Sequence, residues 1–148
     1  MADVPHVGRV AWIGVRPARG VAMRALDRVI AVAARGLEGD RYAGSGKRQV
    51  TLIQAEHLPA IAAIVGREVV PDVLRRNLVV SGINVRGLTG LSFRIGEAIL
   101  EGTGPCEPCS KMDDALGHGG FVAMRGMGGI TARVLEGGAI AIGDAVSR

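Results

Sequence analysis

Residues 91–101 read Leu91-Ser92-Phe93-Arg94-Ile95-Gly96-Glu97-Ala98-Ile99-Leu100-Glu101. Two short apolar runs flank one glycine with no helix-length stretch between them, which predicts an antiparallel hairpin. The same pattern recurs along the chain. Gly129–Leu135 and Ala139–Val146 predict a closing hairpin turned at Gly137-Gly138. Val7–Val15, Arg28–Ala33, Gln49–Gln54 and Asn77–Val80 predict further strands. Ala55–Val65 carries a helical apolar face through Leu58, Ile61, Ala62 and Val65, with Pro59 tolerated in the first turn. Pro71–Arg75 predicts one helical turn and Cys109–Leu116 a short helix. Strands that do not alternate regularly with helices argue against a doubly wound parallel sheet. The expected fold is mainly β: a mostly antiparallel β-barrel with two or three short helices, in a single domain over 1–148.

Composition narrows the function. Glycine supplies 23 of 148 residues, well above the usual share, which suits many tight turns. Aromatics are 3% (Trp12, Tyr42, Phe93, Phe121), so the core must be built from Val, Ile, Leu and Ala. The net charge is +4 and the pI about 9.8, yet the arginines run from Arg9 to Arg148 without a basic block. Little aromatic surface is offered for stacking on bases, so the charge fits a small anionic ligand better than nucleic acid. The opening MADVPHVGRV has no basic-then-apolar leader. No apolar run approaches the ~18 residues of a membrane span. Two cysteines three apart do not make an extracellular disulfide framework. The expectation is a cytoplasmic protein with neither membrane nor nucleic acid as partner.

The sharpest motif is Gly104-Pro105-Cys106-Glu107-Pro108-Cys109-Ser110-Lys111. A proline before each cysteine stiffens the chain into a turn that leads toward the expected helix. A thiol at a helix N-terminus beside Lys111 is favoured as thiolate, the form that ligates metal or carries sulfur. Burial as a small apolar side chain is the plainer reading, and it weighs more heavily for Cys106 than for Cys109. One C-x-x-C with His6, His57 and His118 scattered falls short of a four-ligand zinc site. A thioredoxin-like dithiol belongs early in a βαβ unit, whereas this pair precedes a predicted hairpin.

Three arginine clusters border apolar strands: Gly39-Asp40-Arg41, Arg48-Gln49 and Arg75-Arg76-Asn77. Arginine's planar fork suits phosphate, and three such clusters together point to a shared anion pocket. Any one of them alone reads equally as solvated surface. Asp113-Asp114 fit a helix surface, His57 has no catalytic partner in sight, His118 stays unassigned, and Met112, Met124 and Met127 read as packing.

Taken in order, these segments resemble the MOSC domain, named for the C-terminal domain of molybdenum cofactor sulfurase. The resemblance runs through Gly36-Leu37-Glu38-Gly39-Asp40-Arg41, Arg48-Gln49, Arg75-Arg76-Asn77-Leu78-Val79-Val80, Leu88–Gly96, Pro105–Met112 and the tail from Gly129 to Asp144. It implies a barrel with a cysteine at the mouth of a pocket for the molybdenum–pterin cofactor. Cys109 fits both the P-C-x-x-C and P-C-x-K settings, so the resemblance makes it the catalytic residue and metal ligand, or the sulfur carrier. Arg41, Arg48, Arg75, Arg76, Asn77 and Lys111 become the cofactor-binding positions. A phosphate's need for cations and molybdenum's preference for soft thiolate agree with these roles. The chain departs from larger family members in having Arg76 where proline often stands between Arg and Asn. No pyridoxal-phosphate lysine can be assigned, so sulfur would come from a separate donor such as a desulfurase.

Three readings follow. The first is a molybdenum-cofactor-binding protein in which Cys109 ligates metal or carries sulfur. The second is a molybdenum-dependent reductase of N-hydroxylated compounds with a separate electron-transfer partner. The third is a thiol-redox module using Cys106 and Cys109 as a reversible disulfide.

Overall fold

The computed structural model describes residues 7–18, 20–41, 44, 46–66, 68–106 and 127–148. In chain order they form β1 (Gly8–Val15), β2 (Arg24–Leu26), β3 (Arg28–Val32), β4 (Gly36–Leu37), β5 (Val50–Gln54), α1 (His57–Val65), α2 (Pro71–Leu74), β6 (Leu78–Ser81), β7 (Ser92–Ile95), β8 (Ala98–Pro105), β9 (Ile130–Glu136), β10 (Gly138–Ala141) and β11 (Ala145–Ser147). Single 3-10 turns cover Gly46–Arg48 and Val85–Leu88.

The strand order β11-β7-β8-β9-β5-β6-β1 closes on itself through pairing of Gly8 and Arg9 of β1 with β11, and β2 pairs with the far end of β1, Ile13–Val15. This is the expected barrel. Every neighbouring pair in it is antiparallel except β5–β6, whose parallel connection runs through α1 and α2. That is the crossover a parallel pair requires. The predicted 91–101 hairpin forms, with Phe93 opposite Leu100, Ile95 opposite Ala98 and Gly96-Glu97 as its turn. Gly96 turns it at φ 57°.

The core is aliphatic, with Phe93 the one aromatic among the described residues of the main cluster. Val29, Ala31, Leu37 and Ile140 bring the small sheet β10-β3-β4 into that same core. A second cluster, centred on Ile53, Ile61, Leu74 and Val79, takes up the predicted face of α1, with Leu58, Ala62 and Val65 packed around it. Gly66 ends that helix in the left-handed conformation and donates its N–H to the Ala62 carbonyl.

The closing hairpin is corrected. β10 turns away from β9 and pairs with β3, Ala139 opposite Ile30. β9 pairs with β5 and β8 instead. The glycine pair makes the crossing sterically possible, since a Cβ on Gly137 would stand 2.7 Å from the Ala31 carbonyl oxygen. The predicted strand Ala139–Val146 also splits at Gly143-Asp144, where the Asp144 carboxylate accepts the Ala141 N–H at 2.8 Å. No helix among the described residues is long and apolar enough to cross a membrane.

Candidate functional site

One cross-strand row organises the site: Ile13, Leu78, Leu52, Ile130 and Pro105 lie side by side on β1, β6, β5, β9 and β8. Gly14, Asn77 and Thr51 flank that row on one side, and Gly129 and Cys106 on the other. Their chemistry differs sharply from the aliphatic row itself.

Asn77 is fully buried. Its Nδ2 donates to the Gly14 carbonyl at 3.0 Å and to Asp40 Oδ1 at 3.1 Å. Its Oδ1 accepts from Arg16 Nη2 at 3.0 Å, Thr51 N at 3.0 Å and Thr51 Oγ1 at 3.2 Å. These partners fix the orientation of the amide, because flipping it would set its oxygen against a carboxylate and a carbonyl. Asp40 and Arg16 complete the network as a buried bidentate pair, Nε to Oδ1 at 3.1 Å and Nη2 to Oδ2 at 3.0 Å. The Arg16 main-chain N–H adds a third bond to Oδ1 at 2.8 Å. Such a pair is sustained in low dielectric only when its remaining donors and acceptors are also met.

The network reaches two more arginines through the backbone. Arg41 donates its N–H to the Arg16 carbonyl at 2.8 Å and keeps an exposed side chain. Arg75 follows α2 in the left-handed region, φ 60°. Its carbonyl accepts from Arg16 Nη1 at 3.3 Å, and its half-buried guanidinium donates to the Val21 carbonyl. A non-glycine residue held there costs about 1–2 kcal/mol, so the surrounding bonds must over-determine it.

Arg76, next to Asn77 in the chain, is 3% exposed. It donates to three carbonyls: Gly128 at 2.8 Å, Leu74 at 2.9 Å and Cys106 at 3.4 Å. The Cys106 N–H donates to the Gly129 carbonyl at 2.9 Å. Arg48, exposed at the end of the Gly46–Arg48 turn, donates to the buried Cys106 Sγ at 3.7 Å. A shallow groove lined by Ala33, Lys47, Gln49, Arg133 and Leu135 opens on the β9 flank and includes neither Cys106 nor these arginines.

The structure therefore places the predicted residues in two groups: Asn77, with the backbones of Arg41 and Arg75, in the Asp40–Arg16 network, and Arg48 and Arg76 on Cys106. Cys109 and Lys111, with Asp113, Asp114 and His118, lie outside the described residues. Among the described residues no group of His, Cys, Asp and Glu is placed to hold a metal ion. Arg16 and Thr51 were not singled out by the sequence. Arg16 had one signal, a charged residue directly ending a buried strand, but Arg16-Pro17 also reads as an ordinary turn. Asp40 lies in the Gly39-Asp40-Arg41 segment, where the charge that suits an anion is that of Arg41.

Solved structures share the fold. The YuaD protein from Bacillus subtilis superposes with a TM-score of 0.82 at 20% identity, covering 95% of this chain and 94% of that one. YiiM from Geobacillus stearothermophilus gives 0.77 at 19% identity, covering 95% and 74%. YiiM from Escherichia coli gives 0.70 at 21% identity, covering 94% and 68%. No curated protein sequence matches the chain. The MOSC domain model matches residues 39–147, a span that takes in Asp40, the arginine clusters, the C-x-x-C motif and the barrel's last strand, and the chain belongs to the MOSC domain family.

Proposed function

We propose that this chain binds a molybdenum–pterin cofactor beside the Arg48–Cys106 contact, with Cys109 as metal ligand or sulfur carrier. The observation that carries the reading is the convergence itself. An exposed guanidinium meets the thiol of a C-x-x-C motif 58 positions away in sequence, at 3.7 Å, with Arg41 and Arg75 held by one adjoining network. The donor set suits the group: guanidiniums for the pterin's phosphate and a thiol for a soft metal. Arg41, Arg48 and Arg75 would hold the phosphate end, and the cysteine motif would face the metal. When bound, the cofactor supplies a molybdenum centre able to take thiolate and exchange electrons.

The chain's own residues have distinct tasks. Arg48, Arg41 and Arg75 attract and orient the anion. Asn77, Asp40 and Arg16 fix the backbone from which two of those arginines project. Cys106 is 1% exposed, which leaves Cys109 as the thiol of the pair proposed to act. A cytoplasmic, reducing setting keeps both thiols available, and a separate protein would serve as sulfur or electron donor.

The experiment is reconstitution. Anaerobically purified protein is mixed with free molybdenum cofactor, freed of excess, and assayed for molybdenum and pterin. Wild type, Cys109→Ser and Cys106→Ser are compared. Near-stoichiometric metal in wild type and Cys106→Ser, lost in Cys109→Ser, is the expected result. Pterin retained without dependence on Cys109 points to sulfur carriage. No retention in any variant overturns the proposal and favours the dithiol module.

A further inference from the structure

We infer that Arg76 is a positioning residue for the cysteine motif: its guanidinium clasps the end of β8 to the start of β9. Cys106 directly follows β8 and Gly128-Gly129 directly precede β9. Arg76 donates from Nε to Gly128 O at 2.8 Å and from Nη2 to Cys106 O at 3.4 Å, while Nη1 anchors it to Leu74 O at 2.9 Å. The junction is closed a second time by the Cys106 N–H on the Gly129 carbonyl at 2.9 Å.

The residue types are those the geometry demands. A guanidinium donates outward in several fixed directions in one plane, so a single side chain can span three carbonyls, which an ammonium on a flexible stem does poorly. Both residues that precede β9 must be glycine. A Cβ on Gly128 would lie 2.4 Å from the Cys106 carbonyl oxygen, and one on Gly129 would lie 1.8 Å from the Leu52 carbonyl oxygen. Cys106 is thereby held at every polar group, its N–H by Gly129, its carbonyl by Arg76 and its sulfur by Arg48. Cys109 follows Cys106 three residues later in sequence. Arg76 then acts on a ligand through the backbone of Cys106 instead of by contact. That last step rests on the cofactor reading above, whereas the clasp does not.

The test uses the full chain without cofactor. Amide hydrogen exchange is followed at Cys106, with Val10 and Glu97 as distant references, and alkylation of Cys106 by iodoacetamide is followed by mass spectrometry. Arg76→Met is expected to speed both Cys106 readouts by about 10- to 100-fold, with the references changing within about threefold. Arg76→Lys should recover part of the protection. Gly128→Ala keeps the guanidinium and forces the Cys106 carbonyl aside, so it should give the same local pattern and decides the matter if Arg76→Met does not fold. Equal acceleration at Cys106, Val10 and Glu97 would mean general destabilisation and overturn the clasp, as would unchanged Cys106 behaviour in a folded variant. In reconstitution, Arg76→Met should lose cofactor and Arg76→Lys regain some. Opening of the clasp with undiminished retention overturns the positioning role, whereas absence of retention in wild type overturns only the cofactor reading.

Discussion

The Arg16 guanidinium lies along the Asp40 carboxylate, Nη2 3.0 Å from Oδ2 and Nε 3.1 Å from Oδ1, with side-chain exposures of 3% and 0%. Because the pair is enclosed, deleting one member strands the other in low dielectric. Arg16→Met and Asp40→Leu should each cost about 3–5 kcal/mol in urea unfolding. The double replacement Arg16→Met with Asp40→Leu should cost much less than the sum of its single changes, because no charge is left behind. Additive losses in that cycle would show that the two residues stabilise the fold independently.

Gly129 and Gly39 share the same φ of 87° but not the same surroundings. Alanine at either pays the left-handed penalty, about 1–2 kcal/mol. At Gly39 the new methyl meets nothing within 4 Å, whereas at Gly129 it meets the Leu52 carbonyl oxygen at 1.8 Å. Gly39→Ala should therefore fold with a modest loss, and Gly129→Ala should displace β9 from β5 and fail to yield soluble barrel. Similar midpoints for the two variants in thermal unfolding would contradict the contact.

Which features could be read from the sequence follows from how local their causes are. Ser92–Ile95 and Ala98–Pro105 pair across Gly96-Glu97, so adjacent residues announce the hairpin. β2 and β4 span three and two residues, too few for any periodicity to register. β10 looked like the partner of β9 because they are neighbours in sequence, but its true partner is β3, roughly a hundred residues earlier, and long-range pairing leaves no local trace. The site divides the same way. Arg48 and Arg75-Arg76-Asn77 border apolar strands and stood out by charge. Arg16 did not, since its meaning depends on Asp40, 24 positions away, and on Asn77, 61 positions away.

Arg75 separates backbone strain from side-chain function. Its φ of 60° favours glycine, so Arg75→Gly should be about 1 kcal/mol more stable than Arg75→Ala. Both variants lose the guanidinium and its bond to Val21, so both should weaken cofactor retention alike. Stability and retention are then read on the same two proteins. If alanine proves the more stable of the two, the strained conformation is not the one populated in solution.

Arg48 offers the opposite case from Arg16. It is exposed, on a turn, and its bond to Cys106 is a weak one to sulfur at 3.7 Å. Exposed charges contribute little to folding, so Arg48→Met should leave the unfolding midpoint within experimental scatter of wild type. A charge-assisted bond to a bound phosphate is worth about 1.5–3 kcal/mol, so the same variant should retain cofactor more weakly by one to two orders of magnitude, roughly. Raising salt should narrow the difference between wild type and variant, because the attraction being removed is screened. Equilibrium dialysis of the pterin at two ionic strengths measures both effects. A large stability loss with unchanged retention would make Arg48 a brace for Cys106 and remove it from the anion site.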